Sequence, residues 1–490
     1  MAKKNKIFCV INLIILCNII YGEDCTPKIA IIGGGIGGAS ASHYLTDLFK
    51  DDVDIDLFEA DEIGGRLATL NINNDEYETG GSIIHSRNKL MRHFVQLLKL
   101  EDRPSELDMV AGIWNGDEFV FKESFYQMVS LVKLFYRYGL EPFELHRLLT
   151  NSILDDFDHI YNLQDDGIGF ENISSLLSGM NHKFPEMLEI SSKDFLLSQG
   201  YSHKLINELV EATLAVNYGQ DTDVHSFVGF VSVAGAGSSL WSVKGGNKKV
   251  PENLIKKNKR IKVIPAVVNK INYAPKDDGS PEYHVFYNTG KFEDTWKTYD
   301  VVIIATPLTH DQKMPINFAG FPENVNFKFA GDYQTTYATF VKGKINPSYF
   351  KLEESIDAIL SCNPNKTIMS SIGRLTTVEG NNSDVWKIFS RKPVEKNLIS
   401  KVFLEVHEIK EIKWKAYPKY STMESSNNFK LFDSLYHVNA IEWAASAMEM
   451  SAIGGRNIAI LVHNDYKKKC NISQASGLKK IKNEQTSREL

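Results

Sequence analysis

The sequence predicts an α/β fold in which a parallel sheet alternates with helices, interleaved with a second domain of mixed helices and strands. The first observation is a short apolar run, Lys28 to Ile32, of the kind that forms a buried parallel strand. A glycine-rich turn, Gly33 to Gly38, follows at once, then a stretch typical of a helix, Ala39 to Leu45, and then a second predicted strand, Asp54 to Phe58. Strand, turn, helix and strand in this order predict a βαβ unit.

The glycine turn indicates what the βαβ unit binds. A residue without Cβ suits the tight turn at Gly33, Gly35 lets a pyrophosphate approach the backbone, and Gly38 lets the helix pack closely on the strand. The second strand ends in Glu59, whose carboxylate can accept hydrogen bonds from the ribose hydroxyls of an adenosine. Glycine-rich turns also arise by chance, but the strand, the turn and the acid together favour an adenine dinucleotide.

Size and composition narrow the class of protein. A chain of 490 residues is too long for one simple core, and 43% hydrophobic with 24% charged residues is typical of a globular protein. The net charge of -6 gives no electrostatic reason to bind nucleic acid, so no nucleic-acid partner is expected.

The amino-terminal residues predict a cleaved signal peptide, 1–22. Three lysines precede an apolar run, Ile7 to Tyr21, which is shorter than the roughly 20 residues that cross a bilayer as a helix. Entry into the secretory pathway makes four Asn-X-Ser/Thr triplets candidate glycosylation sites, although such triplets also occur by chance: Asn172, Asn365, Asn381 and Asn471. The cysteines left after cleavage, Cys25, Cys362 and Cys470, have no metal-ligand spacing and allow at most one disulfide. No metal is expected.

Two later stretches resemble the flavin amine-oxidase superfamily. The loop Gly64-Gly65-Arg66 follows the second strand, and Thr79-Gly80-Gly81-Ser82 follows soon after. The resemblance implies FAD rather than NAD as the cofactor, with Gly65 and Arg66 along the diphosphate. It also implies that Gly80, Gly81 and Ser82 pass close to the flavin ring, where glycines allow a close backbone approach.

The same resemblance scatters the rest of the FAD-binding domain along the chain. Arg260 to Ile271 reads as two short strands, and the backbone of Val268 would meet the adenine. A buried strand ends near Thr306, and Asn439 to Met450 is similar to the carboxy-terminal flavin motif. There, Glu442 would bind the ribityl or ribose end, and the backbone of Met448 would face the pyrimidine carbonyl.

Further stretches resemble one family, the prenylcysteine oxidases of the secretory pathway. Those that discriminate most are Asn217-Tyr-Gly-Gln220 and Trp241 to Lys248. The resemblance runs from about Lys28 to Tyr466, and it implies an FAD-dependent thioether oxidase, an oxidoreductase acting on a sulfur group of donors. Such an enzyme cleaves farnesyl- or geranylgeranyl-cysteine with O₂ and water to cysteine, a prenyl aldehyde and H₂O₂ in the degradation of prenylated proteins. A lysosomal or secreted location is expected. This chain departs from the family pattern at Ala440 and Trp443.

These patterns divide the chain as follows: signal peptide, 1–22; Rossmann-type FAD-binding domain, 28–95, 225–310 and 431–468; α+β substrate domain, 96–224 (mostly helical) and 311–430; polar carboxy-terminal tail, 469–490. Within the substrate domain, residues 119–150 are rich in aromatic side chains interrupted by Lys133, Arg137 and Arg147. They could line a prenyl tunnel or contact a membrane surface, or they could form a plain helical core.

The catalytic groups are the least determined. His85 follows the flavin-facing glycines and could serve as an acid or base, although a histidine that only hydrogen-bonds nearby groups is the simpler interpretation. His225 is a weaker candidate, and Lys244 or Arg137 could meet the substrate carboxylate. Two other functions remain open: an amine or polyamine oxidase using carboxylates such as Asp221 and Asp223, and a secreted flavin- or lipid-binding protein without catalysis.

Overall fold

A computed structural model describes residues 26–486 apart from 104–108, 236–239, 291–294, 328, 330 and 423–426. The predicted signal peptide and Cys25 lie outside the described residues.

The strands are β1 (Lys28–Ile32), β2 (Asp54–Glu59), β3 (Thr69–Ile72), β4 (Asp75–Glu78), β5 (Ile84–His85), β6 (Ala111–Trp114), β7 (Phe119–Lys122), β8 (Leu240–Trp241), β9 (Ile261–Pro265), β10 (Val267–Tyr273), β11 (Tyr283–Asn288), β12 (Thr295–Tyr299), β13 (Val301–Ile304), β14 (Asn317–Ala319), β15 (Tyr333–Ile345), β16 (Ala358–Ser361), β17 (Met369–Thr376), β18 (Asn382–Ser390), β19 (Phe403–Pro418), β20 (Lys430–Phe432) and β21 (Leu435–His437).

The described α-helices are α1 (Ile36–Leu48), α2 (Lys89–Leu97), α3 (Gln127–Tyr138), α4 (Glu141–Leu148), α5 (Asp155–Phe157), α6 (His159–Asp165), α7 (Ile173–Met180), α8 (Ser192–Ser198), α9 (His203–Leu205), α10 (Glu211–Tyr218), α11 (Ser226–Ala234), α12 (Lys249–Lys257), α13 (Lys396–Val402) and α14 (Met448–Thr486). Two π-helical segments, Leu149–Leu154 and Ile206–Val210, and three 3₁₀ segments, Pro185–Leu188, Pro347–Phe350 and Val438–Trp443, complete the helical structure of the described residues.

The predicted βαβ unit forms the centre of a six-stranded sheet in the order β20-β21-β13-β1-β2-β9. All neighbours in it are parallel except β20 and β21. Ile29 and Ile31 pack with α1 and α14 on one face, whereas Ala30 and Ile32 pack against the four-stranded sheet β12-β11-β10-β14 on the other. Burial on both faces explains why β1 is an unbroken apolar run rather than an alternating one.

The second domain is built on a seven-stranded sheet in the order β19-β15-β18-β17-β16-β6-β7. It is antiparallel apart from the β16–β6 pair. Helix α10 lies against β16 and β17. Strands of both sheets alternate along the chain, and the predicted fold class, a Rossmann-type domain interleaved with an α+β domain, is confirmed.

The carboxy-terminal helix α14 lies against α1, the helix of the βαβ unit. The contact is close because it is made through glycines: a Cβ on Gly455 would lie 2.3 Å from the Gly37 carbonyl oxygen. The Ser40 hydroxyl also donates to the Ala452 carbonyl at 2.7 Å. The backbone of α14 continues through the predicted polar tail as far as Thr486. None of the helices within the described residues is long and apolar enough to cross a membrane.

Candidate active site

A cavity of about 570 Å³ opens at the carboxyl ends of β1 and β13, where open α/β sheets bind their ligands. Most of the residues predicted to bind the cofactor line it: Gly33, Gly35, Glu59, Gly65, Arg66, Gly80, Gly81, Ser82, Thr306, Glu442 and Met448. His85 lines it as well. Gly38 and Val268 do not; Gly38 lies behind the turn, and the Val268 side chain is buried between the two sheets. The fold therefore gathers into one cavity residues separated by up to four hundred positions in sequence.

The three fingerprint glycines meet different constraints. Gly33 has a φ of 108°, and a Cβ there would lie 2.7 Å from the Ala305 carbonyl oxygen. A Cβ on Gly38 would lie 2.0 Å from the Gly33 carbonyl oxygen. At Gly35, by contrast, the nearest protein atom to a Cβ is the Gly64 oxygen at 3.9 Å. Gly33 and Gly38 are thus required by the fold itself, whereas the open space at Gly35 faces the cavity.

The carboxylate of Glu59 is fixed by two backbone amides. Gly34 N–H donates to one of its oxygens at 2.7 Å and Asp61 N–H donates to the other at 3.0 Å. The side chain is half-buried and lines the cavity beside the glycine turn. A carboxylate so oriented keeps further lone pairs that can accept hydroxyl groups.

Arg66 reaches the cavity through a network of buried acceptors. Its guanidinium forms an ion pair with Glu442 and donates to the Ala416 carbonyl at 2.8 Å. Burial by itself lowers the pKa of Arg66, but the Glu442 carboxylate outweighs it and raises that pKa, so the guanidinium stays charged. Glu442 also accepts Tyr333 Oη at 2.5 Å and Asn439 Nδ2 at 2.7 Å. The contacts of Glu442 therefore position Arg66. The hydrogen bond between Glu442 and the ribityl or ribose end of the cofactor stays a prediction.

Two helix amino termini face the cavity and make it suited to an anion. Ile36 and Gly37, at the start of α1, line it, as do Met448 and Glu449 at the start of α14. The first N–H groups of a helix lack partners within the helix and carry its positive dipole end. With the Arg66 guanidinium, they fit the diphosphate of a dinucleotide.

The cavity also offers one donor that the protein does not use. The indole Nε1–H of Trp414 is buried without an acceptor among the described residues, and Trp414 lines the cavity. Its ring lies against Gly80, where a Cβ would come within 2.3 Å of it. A buried donor next to the Gly80-Gly81 loop fits a ligand that carries hydrogen-bond acceptors, as a flavin ring does.

His85 is neutral and partly oriented. Its Nδ1 accepts the Arg87 backbone N–H at 3.2 Å, so the neutral ring carries its proton on Nε2. Burial, and then the nearby Arg87 charge, lowers the pKa of His85.

The Gly80-Gly81 loop is held by two hydrogen bonds. The Gly81 N–H donates to the Arg66 carbonyl at 3.2 Å, and Asn247 Nδ2 donates to the Gly81 carbonyl at 2.9 Å. This loop is therefore fixed by the protein before any ligand binds.

The remaining wall is apolar with a charged pair at one place. The apolar lining comes from the π-helical segment, α5, α11 and neighbouring positions: Leu149, Ile153, Leu154, Phe157, Phe227, Phe230, Val231 and Leu240. Arg87 and Asp158 also line the cavity, joined by a 2.7 Å ion pair. The second carboxylate oxygen of Asp158 is buried and has no partner among the described residues. The wall suits a ligand with an apolar chain and a zwitterionic end.

Several other predicted residues lie outside the cavity lining. His225 is buried, caps α11 and bonds the Trp443 carbonyl, and burial lowers its pKa to about 4. Arg137 forms an ion pair with Glu208, and Lys244 forms one with Glu101. Neither cation lines the cavity, and their predicted role at the substrate carboxylate stays a prediction.

The carboxylates considered for an amine site, Asp221 and Asp223, are both exposed and outside the lining. The two departures from the family pattern are buried: Ala440 lies in the core, and Trp443 packs on Gly331, where a Cβ would meet its ring at 2.2 Å. Neither lines the cavity. The substitutions therefore change the packing behind the site rather than its surface.

The candidate glycosylation sites differ in exposure. Asn365 and Asn381 are exposed in turns, whereas Asn172 is half-buried and its side-chain oxygen caps α7 at 2.8 Å from Ser175 N. The side chains of Asn471 and Cys470 lie outside the described part of the chain. Cys362 is buried with a free thiol, and burial raises its pKa to about 11.

Among the lining residues that the sequence did not single out are Arg87, Asp158 and Trp414. Asn439 and Glu449 also line the cavity; they lie within the predicted carboxy-terminal flavin motif but were given no role of their own. Arg87 follows the Gly80-Gly81 loop, so its proximity to that loop was a usable signal. No local pattern marks Asp158 or Trp414, which come from distant parts of the chain.

Two family models match the chain. Residues 121–475 match the family model for prenylcysteine lyase, and residues 31–98 match that for an NAD(P)-binding Rossmann-like domain. Prenylcysteine oxidase 1 of Bos taurus is 36% identical over 479 residues, and that of Homo sapiens is 37% identical over 475; each match covers 93% of both chains. Prenylcysteine oxidase 1-like of Bos taurus is 33% identical and covers 94% of this chain and 96% of its own.

Solved structures share the fold at low sequence identity. Cyclohexylamine oxidase from Brevibacterium oxydans IH-35A gives a TM-score of 0.57 at 14% identity; the match covers 90% of this chain and 100% of that one. A putative protoporphyrinogen oxidase from Exiguobacterium sp. 255-15 gives 0.58 at 12% identity, covering 89% and 98%.

Fold and cavity together define a Rossmann-type dinucleotide-binding protein with an interleaved second domain, the class to which these oxidase structures belong by fold. Within that class, the prenylcysteine lyase family model covers most of the chain, and the bovine relative matches over 93% of it. The chain belongs to the prenylcysteine oxidase family.

Proposed function

We propose that the chain is an FAD-dependent thioether oxidase that cleaves farnesyl- or geranylgeranyl-cysteine. The observation that carries the proposal is the lining of one cavity in a member of this family: the dinucleotide end is continuous with an apolar chamber that contains a paired cation and anion. In the overall reaction, prenylcysteine, O₂ and water give cysteine, a prenyl aldehyde and H₂O₂. The C–S bond breaks, the allylic carbon is oxidised and O₂ is reduced.

The residues present fit FAD. Gly35 leaves room at the start of α1, Glu59 presents an oriented acceptor, and Arg66 with the helix termini offsets the diphosphate charge. FAD supplies a two-electron acceptor for a hydride from the carbon next to sulfur, and O₂ reoxidises it. The Trp414 indole and the fixed Gly80-Gly81 loop are the protein groups best placed to orient its ring.

The protein's own contribution to the substrate is orientation in a dry chamber. The apolar wall from Leu149 to Phe157 suits the prenyl chain, and Arg87 and Asp158 suit the carboxylate and ammonium of the cysteine. His85, neutral with its proton on Nε2, offers a hydrogen-bond donor when water adds at the oxidised carbon. No base is needed to remove a hydride.

The experiment combines cofactor and substrate in one spectrum. Purified protein should show the visible absorption of oxidised flavin and lose it on anaerobic mixing with farnesylcysteine; with air, H₂O₂ and free cysteine should form in equal amounts. Turnover of spermine without turnover of farnesylcysteine would replace this function with amine oxidation. A flavin spectrum unchanged by prenylcysteine would favour a lipid or flavin carrier without catalysis.

We also propose that the protein acts in the secretory pathway, with the lysosome as its main destination. The amino-terminal signal-like segment and the exposed triplets at Asn365 and Asn381 support this location. In secretory cells, removal of N-glycans should increase electrophoretic mobility, and Asn381→Gln should abolish part of that shift. A protein of unmodified mass that remains in the cytosol would contradict the proposal.

A further inference from the structure

Among the described residues, exposed large apolar side chains are most concentrated on α3 and the residues next to it. Of nineteen large apolar side chains exposed among the described residues, ten fall between Phe125 and Phe143. Met128, Val132 and Tyr136, spaced by four residues on one helix face, are 72%, 64% and 92% exposed. With Phe125, Tyr126 and Phe135 they form what we call the docking surface. Contiguous apolar surface of this kind marks an interaction site.

The charged side chains between Ser124 and Leu140 are all positive, and the acids that bound this stretch are engaged within the protein: Glu123 accepts the Ala111 N–H, and Glu141 accepts the Ser202 hydroxyl. No aspartate or glutamate occurs between Ser124 and Leu140. The exposed Lys122 and Lys133 lie together, because Lys133 Nζ donates to the Lys122 carbonyl at 3.2 Å. Aromatic and aliphatic side chains bordered by lysines match an anionic lipid interface, where rings lie at headgroup depth and cations meet phosphate.

The length of α3 fixes the manner of contact. Its 12 residues extend about 18 Å, well short of the roughly 30 Å hydrocarbon core of a bilayer. A helix of this length with an exposed apolar face lies in the plane of the membrane surface. Its other side is attached to the protein, since Tyr138 is buried and the neighbouring Arg137 is paired with Glu208.

We propose that the docking surface seats the protein on a bilayer containing anionic phospholipid. The docking surface is followed in sequence by residues of the cavity wall. Leu140, between α3 and α4, and Phe143, within α4, are exposed, and the π-helical segment after α4 supplies Leu149 and Leu154 to the lining. We infer that a lipid ligand passes from the bilayer to the cavity along this stretch. This inference rests on the proposed function; docking itself does not.

Vesicle flotation of the full-length mature protein tests docking. The wild type should float with phosphatidylcholine vesicles that contain phosphatidylserine, and less with phosphatidylcholine alone. Val132→Glu/Tyr136→Glu should lower the partition coefficient at least about tenfold, because two apolar side chains lose their burial in lipid. The matched control is Leu404→Glu/Ile409→Glu, which adds the same charge at exposed apolar positions of β19, the opposite edge strand of the sheet that ends in β7.

A second variant tests the charge. Lys122→Gln/Lys133→Gln should lower binding to phosphatidylserine vesicles about fivefold or more and leave binding to phosphatidylcholine unchanged. Flotation of Val132→Glu/Tyr136→Glu equal to wild type would overturn the proposal, as would equal loss in the β19 control. A wild-type dimer that becomes monomeric in this variant, with no vesicle binding by either, would assign the surface to a second copy.

The two proposals fail separately. Activity on detergent-dispersed farnesylcysteine and flavin content should be unchanged in Val132→Glu/Tyr136→Glu, whereas activity on substrate presented in vesicles should fall with binding. Absence of turnover in every form, with intact flotation, would refute the proposed function and leave docking standing. Full turnover from vesicles without flotation would refute docking alone.

Discussion

Glu59 connects the glycine turn to the loop after β2, since its two oxygens accept N–H groups from Gly34 and Asp61. Glu59→Arg should lower FAD retention about tenfold or more, because charge-assisted hydrogen bonds are lost and a cation faces ribose hydroxyls. The ratio of flavin to protein absorbance after purification measures it. Asp61→Arg makes the same charge change at an exposed position and should retain flavin. Equal flavin content in both variants would contradict the assignment of Glu59.

Arg87 allows the substrate's amino acid end to be tested apart from its chain. Arg87→Gln should raise KM for farnesylcysteine about tenfold, since a charged hydrogen bond to the carboxylate is lost, and should change KM for the methyl ester little. Steady-state kinetics with both substrates measure the ratio. Arg92→Gln, which removes the ion pair between Arg92 of α2 and Asp102, is the control. A similar rise for acid and ester would show that Arg87 is only structural.

Which residues could be identified from sequence depends on how local their signal is. Gly33, Gly35 and Glu59 follow one another in a short motif whose spacing is set by the turn itself. Arg87 and Asp158 meet only because α5 and the loop before α2 converge, and nothing in either segment encodes the other. Arg137, predicted from charge alone, finds its partner in Glu208 instead.

At the scale of the element, two glycines of the βαβ turn are expected to have different roles, Gly38 in folding and Gly35 in cofactor binding. Gly38→Ala puts a Cβ against the Gly33 carbonyl, and this rigid overlap should outweigh the roughly 1 kcal/mol that alanine contributes in a helix, with a net loss of about 2 kcal/mol or more. Gly35→Ala has open space around its Cβ and should change the unfolding free energy by less than about 1 kcal/mol.

Gly35→Ala, the variant with the smaller expected effect on unfolding free energy, should have the larger direct effect on FAD binding. Gly35→Ala should remain folded and bind FAD poorly, because its methyl group occupies the space that the pyrophosphate needs. Urea unfolding of the apoproteins and flavin titration distinguish the two effects. Normal FAD affinity in a stable Gly35→Ala protein would mean that the cofactor lies elsewhere along the cavity.

Elements with a clear period were predictable, and irregular ones were not. The parallel strands β1 and β13 are short apolar runs, and β2 alternates acidic and apolar residues, so the positions of all three follow from local patterns. The π-helical segment Leu149–Leu154, which turns two leucines into the cavity, continues α4 without a break in composition. Its geometry depends on tertiary packing that a local pattern does not contain.

For the whole molecule, buried histidines make stability depend on pH. Burial lowers the pKa of His225 and of His437 to about 4, below the unfolded value of about 6.5. Both are neutral in the folded state, so their contribution is complete above pH about 6.5 and is lost as pH falls toward about 4, by up to ~1.4 kcal/mol per pH unit for each. Denaturant unfolding across this range measures the slope.

The matched variant for that experiment is His225→Asn. Asparagine can still cap α11 but does not titrate, so the fall in unfolding free energy between pH about 6.5 and about 4 should be shallower than in wild type. A slope identical to that of wild type would show that His225 is not the titrating group. The experiment needs apoprotein and holoprotein alike, because bound cofactor adds its own stabilisation.

The fold class could be predicted from the sequence more fully than the pairing of distant strands within each sheet. Composition, the βαβ unit and the later flavin-like motifs were enough to predict an interleaved Rossmann-type protein. Pairing of β6 and β7 with the edge of the seven-stranded sheet joins residues near 113 to residues near 360, a connection set by packing across the domain.

The contact between α1 and α14 has a consequence for synthesis. The βαβ unit is made first, yet one face of its sheet is covered by a helix that begins at Met448. Strand β21, which pairs with β13 in the same sheet, begins only at Leu435. A nascent chain therefore cannot close this domain until translation is nearly complete, and long-range pairing of this kind forms slowly. Early in synthesis the apolar strands β1 and β2 would need chaperone cover, and any truncation before residue 435 would leave the dinucleotide site without a wall.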